Sequence, residues 1–409
     1  MNLIHSRVLV LIRPRNPIIQ EYVRQLKKIR EMGMNVIVTD YAAVTALGSS
    51  LEELWQGLLL GKTAIQPVQR FPSSHYRSNF AACIEGLSPS GKGSMTHDLL
   101  NRLASQVKDV PPDATLITAT TKAGIDNLEK LKRGTPSDRN DILLSSIPES
   151  VSSTFGLKDV GFNVSAACAS SSIAVARAAA LIRHERVDAV LVCCIDLVTE
   201  FVFSGFSSLG ALSASPAMPF DKNRSGLSLG EGAAFILLMS EMRAQREGRP
   251  ILGRITGWGI SGDAFHLTAP ARDGCGLIRA IRKALGISQI GMEEINAVCA
   301  HGTGTIHNDS MELAAFHSIF GARKPSVYSV KGAIGHTLGA AGGIEVALGV
   351  RSLSEGLIPP TVGLTSPEEA AEGMVSSHLQ EFGGDYLLTT NSGFGGVNSA
   401  LILKRGISA

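Results

Sequence analysis

The chain has 409 residues, of which 44% are hydrophobic and 18% are charged, and its formal net charge is +2 at pH 7. This length suits one large α/β unit or two closely packed halves, and the composition excludes long disordered stretches. The small net charge gives no sign of a nucleic-acid-binding surface. No stretch reaches the roughly 18–20 apolar residues of a membrane helix, so we expect no transmembrane segment.

Residues 1–33 carry seven Lys or Arg against two Glu, and residues 18–30 have the pattern of an amphipathic helix. Two interpretations stay open: an extension without importance for activity, or a helix that docks on a partner or a membrane surface. The next residues, MNVIVTDYAAVTALG, predict a first strand and a glycine turn.

Further along the chain, short β-rich runs alternate with alanine-rich helical patterns, which favours an α/β fold. The runs are apolar nearly throughout, as in a sheet that helices cover on both faces. The predicted strands are residues 114–120, 187–192, 251–260, 295–300, 326–330, 386–390 and 399–404. The predicted helices are residues 170–184, 276–285 and 343–353.

The first of these helices is unusual, because Arg177 is the only charged residue between positions 170 and 182. A helix that is apolar on every side is buried, so it holds the residue before it rigidly inside the protein. Cys168 lies there, in SAACASSS. A thiol on such a turn has the geometry of a nucleophile elbow, and we expect the helix dipole and free N–H groups to lower its pKa. On this segment alone, a structural core cysteine is an equal alternative.

Two histidines follow in other glycine-rich turns. His301 lies in CAHGTGTIHND, where Thr303 and Thr305 present hydroxyls along the approach to the glycine backbone. His336 lies in VKGAIGHTLGAAG, five residues after Lys331. A lone histidine is more often structural than catalytic, but two histidines in such turns, with a thiol in a third, indicate a site.

The trio has a specific chemical logic. A thiolate accepts an acyl group as a thioester. Two neutral imidazoles then donate hydrogen bonds to the enolate oxygen that forms when a malonyl thioester loses carbon dioxide. A hydrolase needs only one histidine, with a carboxylate or amide to orient it. The later loop NSGFGGVNSALIL offers N–H groups for an oxyanion hole and places Phe394 between glycines as a gate, with a plain hairpin turn as the alternative.

These segments resemble those of the β-ketoacyl-acyl carrier protein synthases, the elongating Cys–His–His class of the thiolase superfamily. The resemblance runs from about Met34 to Lys404, and PFDKNRSGLSLGEGAA and SGDAFHLTAP are also family-like. It implies an α/β, thiolase-like five-layered α-β-α-β-α sandwich of two similar halves. We place the half with the nucleophile at 34–250 and the half with the two histidines at 251–409, and leave 1–33 as an extension of unknown role.

The resemblance also implies roles for individual residues. Cys168 accepts the acyl group, His301 and His336 support malonyl decarboxylation, and Lys331 organises the site. The amides of the oxyanion hole belong to Cys168 and Phe394. The implied substrate-binding residues are Thr303, Thr305, Phe206 and Gly395, and those with structural roles are Glu345, paired with Lys331, together with Asp309, His266, Asp221 and Glu231.

The implied reaction is decarboxylative Claisen condensation of an enzyme-bound acyl thioester with malonyl-acyl carrier protein, which yields 3-oxoacyl-acyl carrier protein. No metal or other cofactor is expected, because the substrates arrive on the phosphopantetheine of the carrier protein. The expected partners are this acidic carrier protein and a second chain, usually identical, although a heterodimer with a synthase-like subunit stays open. The candidate basic docking patches are Lys130, Lys132 and Arg133, or Lys62 and Arg70.

The six cysteines show no metal or disulfide spacing, which favours a reducing compartment and a cytoplasmic protein. The departures from the family pattern are Cys299 where Glu is frequent, Ser392–Gly393 where Phe–Gly is common, and Ala169 where Thr is frequent. They slightly favour a specialised polyketide or polyene pathway over fatty-acid synthesis. A non-catalytic, chain-length-factor-like subunit remains the alternative function. The acyl chain length is not predicted, although Phe201, Phe203 and Phe206 are candidates for the tunnel lining.

Overall fold

The computed structural model describes residues 35–88 and 91–406, so the extension predicted over residues 1–33 lies outside the described residues. The strands are β1 Val36–Thr45, β2 Gln66–Pro67, β3 Phe80–Ala82, β4 Thr115–Ala119, β5 Phe162–Val164, β6 Ala189–Asp196, β7 Leu229–Gly230, β8 Gly232–Ser240, β9 Gly253–Gly262, β10 Ile295–Cys299, β11 Ser326–Tyr328, β12 Leu357–Ile358, β13 Gln380–Glu381, β14 Tyr386–Gly393 and β15 Val397–Arg405. The α-helices are α1 Leu51–Leu59, α2 Met95–Ala104, α3 Asp126–Lys132, α4 Ser146–Phe155, α5 Ser170–Arg183, α6 Glu200–Ser208, α7 Glu241–Arg246, α8 Cys275–Ser288, α9 Ile306–Phe320, α10 Lys331–Ile334 and α11 Ala341–Glu355.

The main sheet repeats one pairing pattern in its two halves. Its order is β11-β10-β14-β15-β9-β1-β8-β6-β4-β5. On one side of the sheet, the neighbouring pairs β1–β8 and β8–β6 are antiparallel, and the pairs β6–β4 and β4–β5 are parallel. On the other side, the pairs β9–β15 and β15–β14 are antiparallel, and the pairs β14–β10 and β10–β11 are parallel. The two sets of strands join by a short antiparallel contact of Ile37 with Arg254 and of Val38 with Gly253.

The helices form three layers around these strands. Helices α5 and α11 contact each other and pack against strands of both sets, so they form the central layer. Helices α2 and α4 cover β1, β4, β6 and β8, whereas α8 covers β9 and β15 and contacts α9. This arrangement confirms the predicted five-layered α-β-α-β-α sandwich, in which α5, a helix with apolar residues on every side, is buried between the two sets of strands.

The sequence patterns located most strands of the main sheet and helices α5, α8 and α11, but they missed the central strand β8. Strand β8 is buried at every residue and pairs with both β1 and β6. Its run, GAAFILLMS, has the length and continuous apolar character of a strand with both faces covered, and this signal was present in the sequence. Within residues 35–88 and 91–406, no helix is both long and apolar enough to cross a bilayer.

Candidate active site

The loops that follow β5, β10, β11 and β14 converge on one cavity of about 490 Å³. Cys168, His301, His336, Phe206 and Phe394 all line it. The Sγ atom of the cysteine and one ring nitrogen from each histidine lie within 4.8 Å of one another. The structure thus brings together three groups that lie up to 168 positions apart in the chain, at Cys168 and His336.

The nucleophile turn is tight and closely packed. Ala167 adopts a φ of 49°, a left-handed conformation that few side chains tolerate, and α5 begins two residues after Cys168. A Cβ atom on Gly393 would lie 3.0 Å from the Cys168 nitrogen, so glycine allows this close approach of the β14 loop. Burial raises the pKa of the Cys168 thiol, and the N–H groups of Phe394 and of Cys168 itself, the two amides of the predicted oxyanion hole, both act to lower it.

The thiol itself differs from expectation. Burial raises the pKa of Cys168 to about 12, and the Lys331 charge and the Phe394 N–H oppose this rise only in part. The predicted lowering of this pKa is wrong for the site without substrate. A thiolate that is cut off from water loses more hydration energy than its neighbours restore. The thiol is therefore protonated at neutral pH before substrate enters.

The two imidazoles are neutral, as the proposed chemistry requires. Their ring centroids are 5.1 Å apart and the rings are nearly perpendicular. Burial, assisted by the positive charge of Lys331, holds the pKa of both His301 and His336 well below the usual 6.5. The Leu338 N–H donates to Nδ1 of His336 at 3.3 Å, so the proton of this neutral ring lies on Nε2. That buried Nε2 has no hydrogen-bond partner among the described residues, which leaves it free to donate to a ligand.

The same three side chains are close enough to be considered as metal ligands. Cysteine and histidine are the ligands that zinc prefers. A ring nitrogen that carries a proton has no lone pair for a metal, and Nδ1 of His336 already accepts a backbone N–H. The hydrogen bonding of the site therefore favours N–H donation over metal binding, and the absence of a metal stays a prediction.

Lys331 is not among the residues of the cavity wall. It is buried and forms an ion pair with Glu345, as predicted from the resemblance. The other oxygen of Glu345 accepts a hydrogen bond from Nδ2 of Asn391 at 2.7 Å. Asn391 was not among the predicted site residues, although it is the first residue of NSGFGG and directly follows a predicted strand.

Two carboxylates hold the backbone of the His301 loop. Asp309, predicted to be structural, accepts N–H groups of Thr303, at 3.0 Å, and Gly304, at 3.2 Å. Glu312 accepts the N–H of His301 itself at 2.8 Å, and burial raises the pKa of this carboxyl to about 7. Glu312 was not predicted, yet its position one helical turn after Asp309 places both side chains toward the same loop.

The other predicted site residues divide into two groups. Phe206 stacks on Phe394 with ring centroids 5.6 Å apart, and Thr303, Thr305 and His266 lie in the cavity wall. The Nδ1 atom of His266 also accepts backbone N–H groups of its own loop, in keeping with the structural role predicted for it.

Gly395 is exposed, its N–H donates to the Leu267 carbonyl, and it is not among the residues that line this cavity, so its role in substrate binding stays a prediction. Of the three phenylalanines predicted for a tunnel, Phe203 is fully buried in an aromatic cluster and Phe201 is 47% exposed. Only Phe206 among these three lines the cavity.

A thiolase-type sandwich with a buried thiol beside two neutral imidazoles is typical of enzymes that transfer and condense acyl thioesters. Two family descriptions match the chain: "Beta-ketoacyl synthase, N-terminal domain" over residues 113–244 and "Beta-ketoacyl synthase, C-terminal domain" over residues 252–365. A 3-oxoacyl-acyl-carrier-protein synthase 2 from Synechocystis sp. is 30% identical, over 90% of this chain and 98% of the relative. The chain belongs to the β-ketoacyl synthase family.

Relatives from specialised pathways are about as similar. A putative polyketide beta-ketoacyl synthase 1 from Streptomyces virginiae is 29% identical, over 90% of this chain and 97% of the relative. Among solved structures, the ishigamide ketosynthase/chain length factor aligns with a TM-score of 0.83 and 28% identity, over 91% of this chain and 99% of the solved chain. These similarities support the fold and the family but do not separate fatty-acid from polyketide synthesis.

Proposed function

We propose that this chain catalyses decarboxylative Claisen condensation of an acyl group on Cys168 with malonyl-acyl carrier protein. The observation that carries the proposal is the convergence, within 4.8 Å, of one thiol sulfur and the ring nitrogens of His301 and His336. Both rings are neutral, so each has one N–H to donate, and this suits an enolate oxygen better than a hydrolytic water.

In the first step, the Cys168 sulfur attacks the carbonyl carbon of an acyl-carrier thioester. The new C–S bond forms, the old C–S bond breaks, and the carrier thiol leaves with the proton that the cysteine loses. The negative charge that develops on the carbonyl oxygen is stabilised by the N–H groups of Cys168 and Phe394. This stabilisation lowers the barrier for a thiol whose pKa burial has raised.

In the second step, a malonyl thioester binds and loses its carboxylate as carbon dioxide. The electrons of the broken C–C bond move to the thioester oxygen, where His301 and His336 donate hydrogen bonds to the enolate. The enolate carbon then attacks the acyl carbonyl on Cys168, and the thiolate leaves as the new C–C bond forms. The protein itself needs no further cofactor in these steps, since phosphopantetheine on the carrier supplies both thioesters.

The surface around α3 and α6 is the proposed docking site for an acidic carrier protein. Lys132 and Arg133 are exposed there, and Arg133 also forms a surface ion pair with Glu200 of α6. Helix α3 contacts α6, and Leu209 at the end of α6 lines the cavity mouth. Lys130 is less exposed and is held by Asp126 and by a backbone carbonyl. Arg70 is paired with the buried Glu231 and is not available for docking.

A dimer is proposed through the free edge of β5. This strand ends the main sheet as the structure describes it; Phe162, its first residue, is 42% exposed, and Val160 just before it is 48% exposed. Exposed apolar residues on an unpaired sheet edge favour pairing with another chain. The same surface suits a second identical chain or a synthase-like subunit. A reducing compartment such as the cytoplasm suits the free thiols.

The test supplies malonyl-acyl carrier protein and an acyl-acyl carrier protein to wild type and to Cys168→Ala. The release of carbon dioxide and the formation of 3-oxoacyl product are measured for each. We expect Cys168→Ala to lose condensation while malonyl decarboxylation persists, because the two imidazoles remain. His301→Gln and His336→Gln are expected to lose decarboxylation. Cys275→Ala, which changes a cysteine outside the cavity, is the matched control. A folded wild type without either activity would favour the alternative, a chain-length-factor-like subunit that acts only with a catalytic partner.

A further inference from the structure

The amide of Asn391 joins three parts of the site. Asn391 is fully buried near the end of β14. Its Nδ2 lies 2.7 Å from Oε2 of Glu345 and 3.4 Å from Nδ1 of His301. Its Oδ1 accepts a hydrogen bond from the hydroxyl of Ser172 on the nucleophile helix α5. Within the described residues, this amide is the polar group that faces Nδ1 of His301 within hydrogen-bond distance.

The orientation of this amide follows from its neighbours. A carboxylate oxygen only accepts hydrogen bonds, so the atom that faces Glu345 must be the NH₂ group. The amide oxygen then faces the Ser172 hydroxyl, which is able to donate. Gly342 leaves room for this arrangement, since a Cβ atom there would lie 2.6 Å from Oδ1 of Asn391.

An NH₂ group cannot accept a hydrogen bond, so it faces the unprotonated nitrogen of a neutral ring. We propose that Asn391 is a positioning residue that holds His301 in the tautomer with its proton on Nε2, and thereby makes His301 an N–H donor to the enolate. This inference rests on the proposed function for its consequence, but the tautomer itself is a property of the resting protein. The Leu338 N–H does the same for His336, so two different devices give both rings the same tautomer.

The proposal separates the two chemical steps. Acyl transfer to Cys168 uses the backbone N–H groups of Cys168 and Phe394 and does not need the His301 proton. Decarboxylation needs an N–H donor at the enolate oxygen. A change at Asn391 that reverses the tautomer should therefore slow decarboxylation and leave acylation of Cys168 nearly unchanged.

The test compares Asn391→Asp with Asn391→Leu. A carboxylate accepts hydrogen bonds and draws the His301 proton to Nδ1, which removes one donor from the enolate and lowers the decarboxylation rate about 100-fold. Leucine removes the hydrogen bonds without reversing their direction, so we expect a loss of about tenfold. A purely structural role predicts the opposite order, since aspartate is closer in shape to asparagine and keeps the bond from Ser172. Cys275→Ala, which changes a cysteine outside the cavity, is the control with unchanged decarboxylation.

The tautomer is also read directly by ¹⁵N-histidine NMR, with the His301 signal assigned by its loss in His301→Gln. We expect the Nε2–H tautomer in wild type and the Nδ1–H tautomer in Asn391→Asp. An Nδ1–H tautomer in wild type would overturn the proposal even if both Asn391 variants failed to fold. Equal losses of acylation and decarboxylation in Asn391→Asp would overturn it as well. Because the NMR measurement needs no turnover, failure of the proposed function is distinguishable from failure of this inference.

Discussion

The Lys331 ammonium does not line the cavity. Its effect on the cavity is therefore electrostatic: its positive charge changes the pKa of nearby groups. It lowers the pKa of both His301 and His336 and acts in the same direction on the thiol of Cys168. Its buried partner Glu345 compensates that charge. A buried ion pair of this kind contributes little net stability but is costly to break, since either partner alone is an uncompensated buried charge.

Lys331→Met is therefore expected to reduce the free energy of unfolding by about 3–5 kcal/mol. The double variant Lys331→Met/Glu345→Gln removes both charges and should recover most of that loss. Urea unfolding followed by circular dichroism measures both. Equal losses of unfolding free energy in the single and the double variant would contradict this prediction. They would mean that the loss in Lys331→Met does not come from the unpaired Glu345 carboxylate.

The two histidines also predict a pH dependence. Their folded pKa values lie below 6.5, so at acid pH the unfolded chain binds protons that the folded chain does not. The free energy of unfolding should thus fall as pH decreases below about 6.5, while above that pH these two groups contribute no pH dependence. Unfolding measured from pH 8 to pH 5 should decline less steeply for His301→Gln/His336→Gln than for wild type. Parallel curves for the two proteins would contradict the lowered pKa values.

At the scale of elements, the site depends on turns that only glycine permits. Gly335, directly before His336, has φ 67° and ψ −179°, and a Cβ atom there would lie 2.4 Å from the Leu229 carbonyl oxygen. This conformation is essentially restricted to glycine. The turn from α10 to His336 and the short strand β7 are therefore packed backbone to backbone.

Gly335→Ala should destabilise the fold by at least about 1–3 kcal/mol and reduce decarboxylation by displacing His336. The matched control is Gly286→Ala in helix α8, where the glycine is exposed and a Cβ atom would meet nothing within 4 Å. That control should stabilise the protein by about 0.5–1 kcal/mol, since alanine favours a helix interior. Thermal unfolding of both variants checks the opposite signs, and a stable, active Gly335→Ala variant would refute the argument.

At the scale of the whole molecule, the free edge of β5 predicts a dimer. Wild type should have twice the 43.1 kDa chain mass in light scattering, if the second chain is identical. Phe162→Asp places a charge beside the edge and should shift the protein to the single-chain mass. The control is Leu60→Asp, at a residue that is 70% exposed at the end of α1. A wild type of single-chain mass that doubles only with a synthase-like subunit would indicate a heterodimer.

The docking surface is a second prediction at this scale. Lys132→Glu/Arg133→Glu should raise the KM for an acyl carrier protein about tenfold, with less effect at high salt, because like charges then repel the acidic carrier. The rate with a small pantetheine thioester should not change. Lys62→Glu is the control, since Lys62 belongs to the other candidate patch. A raised KM in Lys62→Glu alone would move the docking site there.

The sequence by itself determined what depends on neighbouring positions: the α/β alternation, the buried helix after Cys168, and the glycine turns that carry His301, Lys331 and His336. Hydrophobic period and turn chemistry are local properties, so they predict such elements without long-range information. The continuous apolar run of β8 is a local signal of the same kind. The site chemistry followed from residue types in those turns, strengthened by the family resemblance.

Only the tertiary structure decided what depends on burial and on partners from distant segments. Burial reversed the expected pKa shift of Cys168, and an ion pair with the buried Glu231 made Arg70 unavailable for docking. The tautomer of His301 depends on Asn391, which lies 90 positions later in the chain. Desolvation and hydrogen-bond direction are set by packing between separate elements, and no local pattern of residues encodes them.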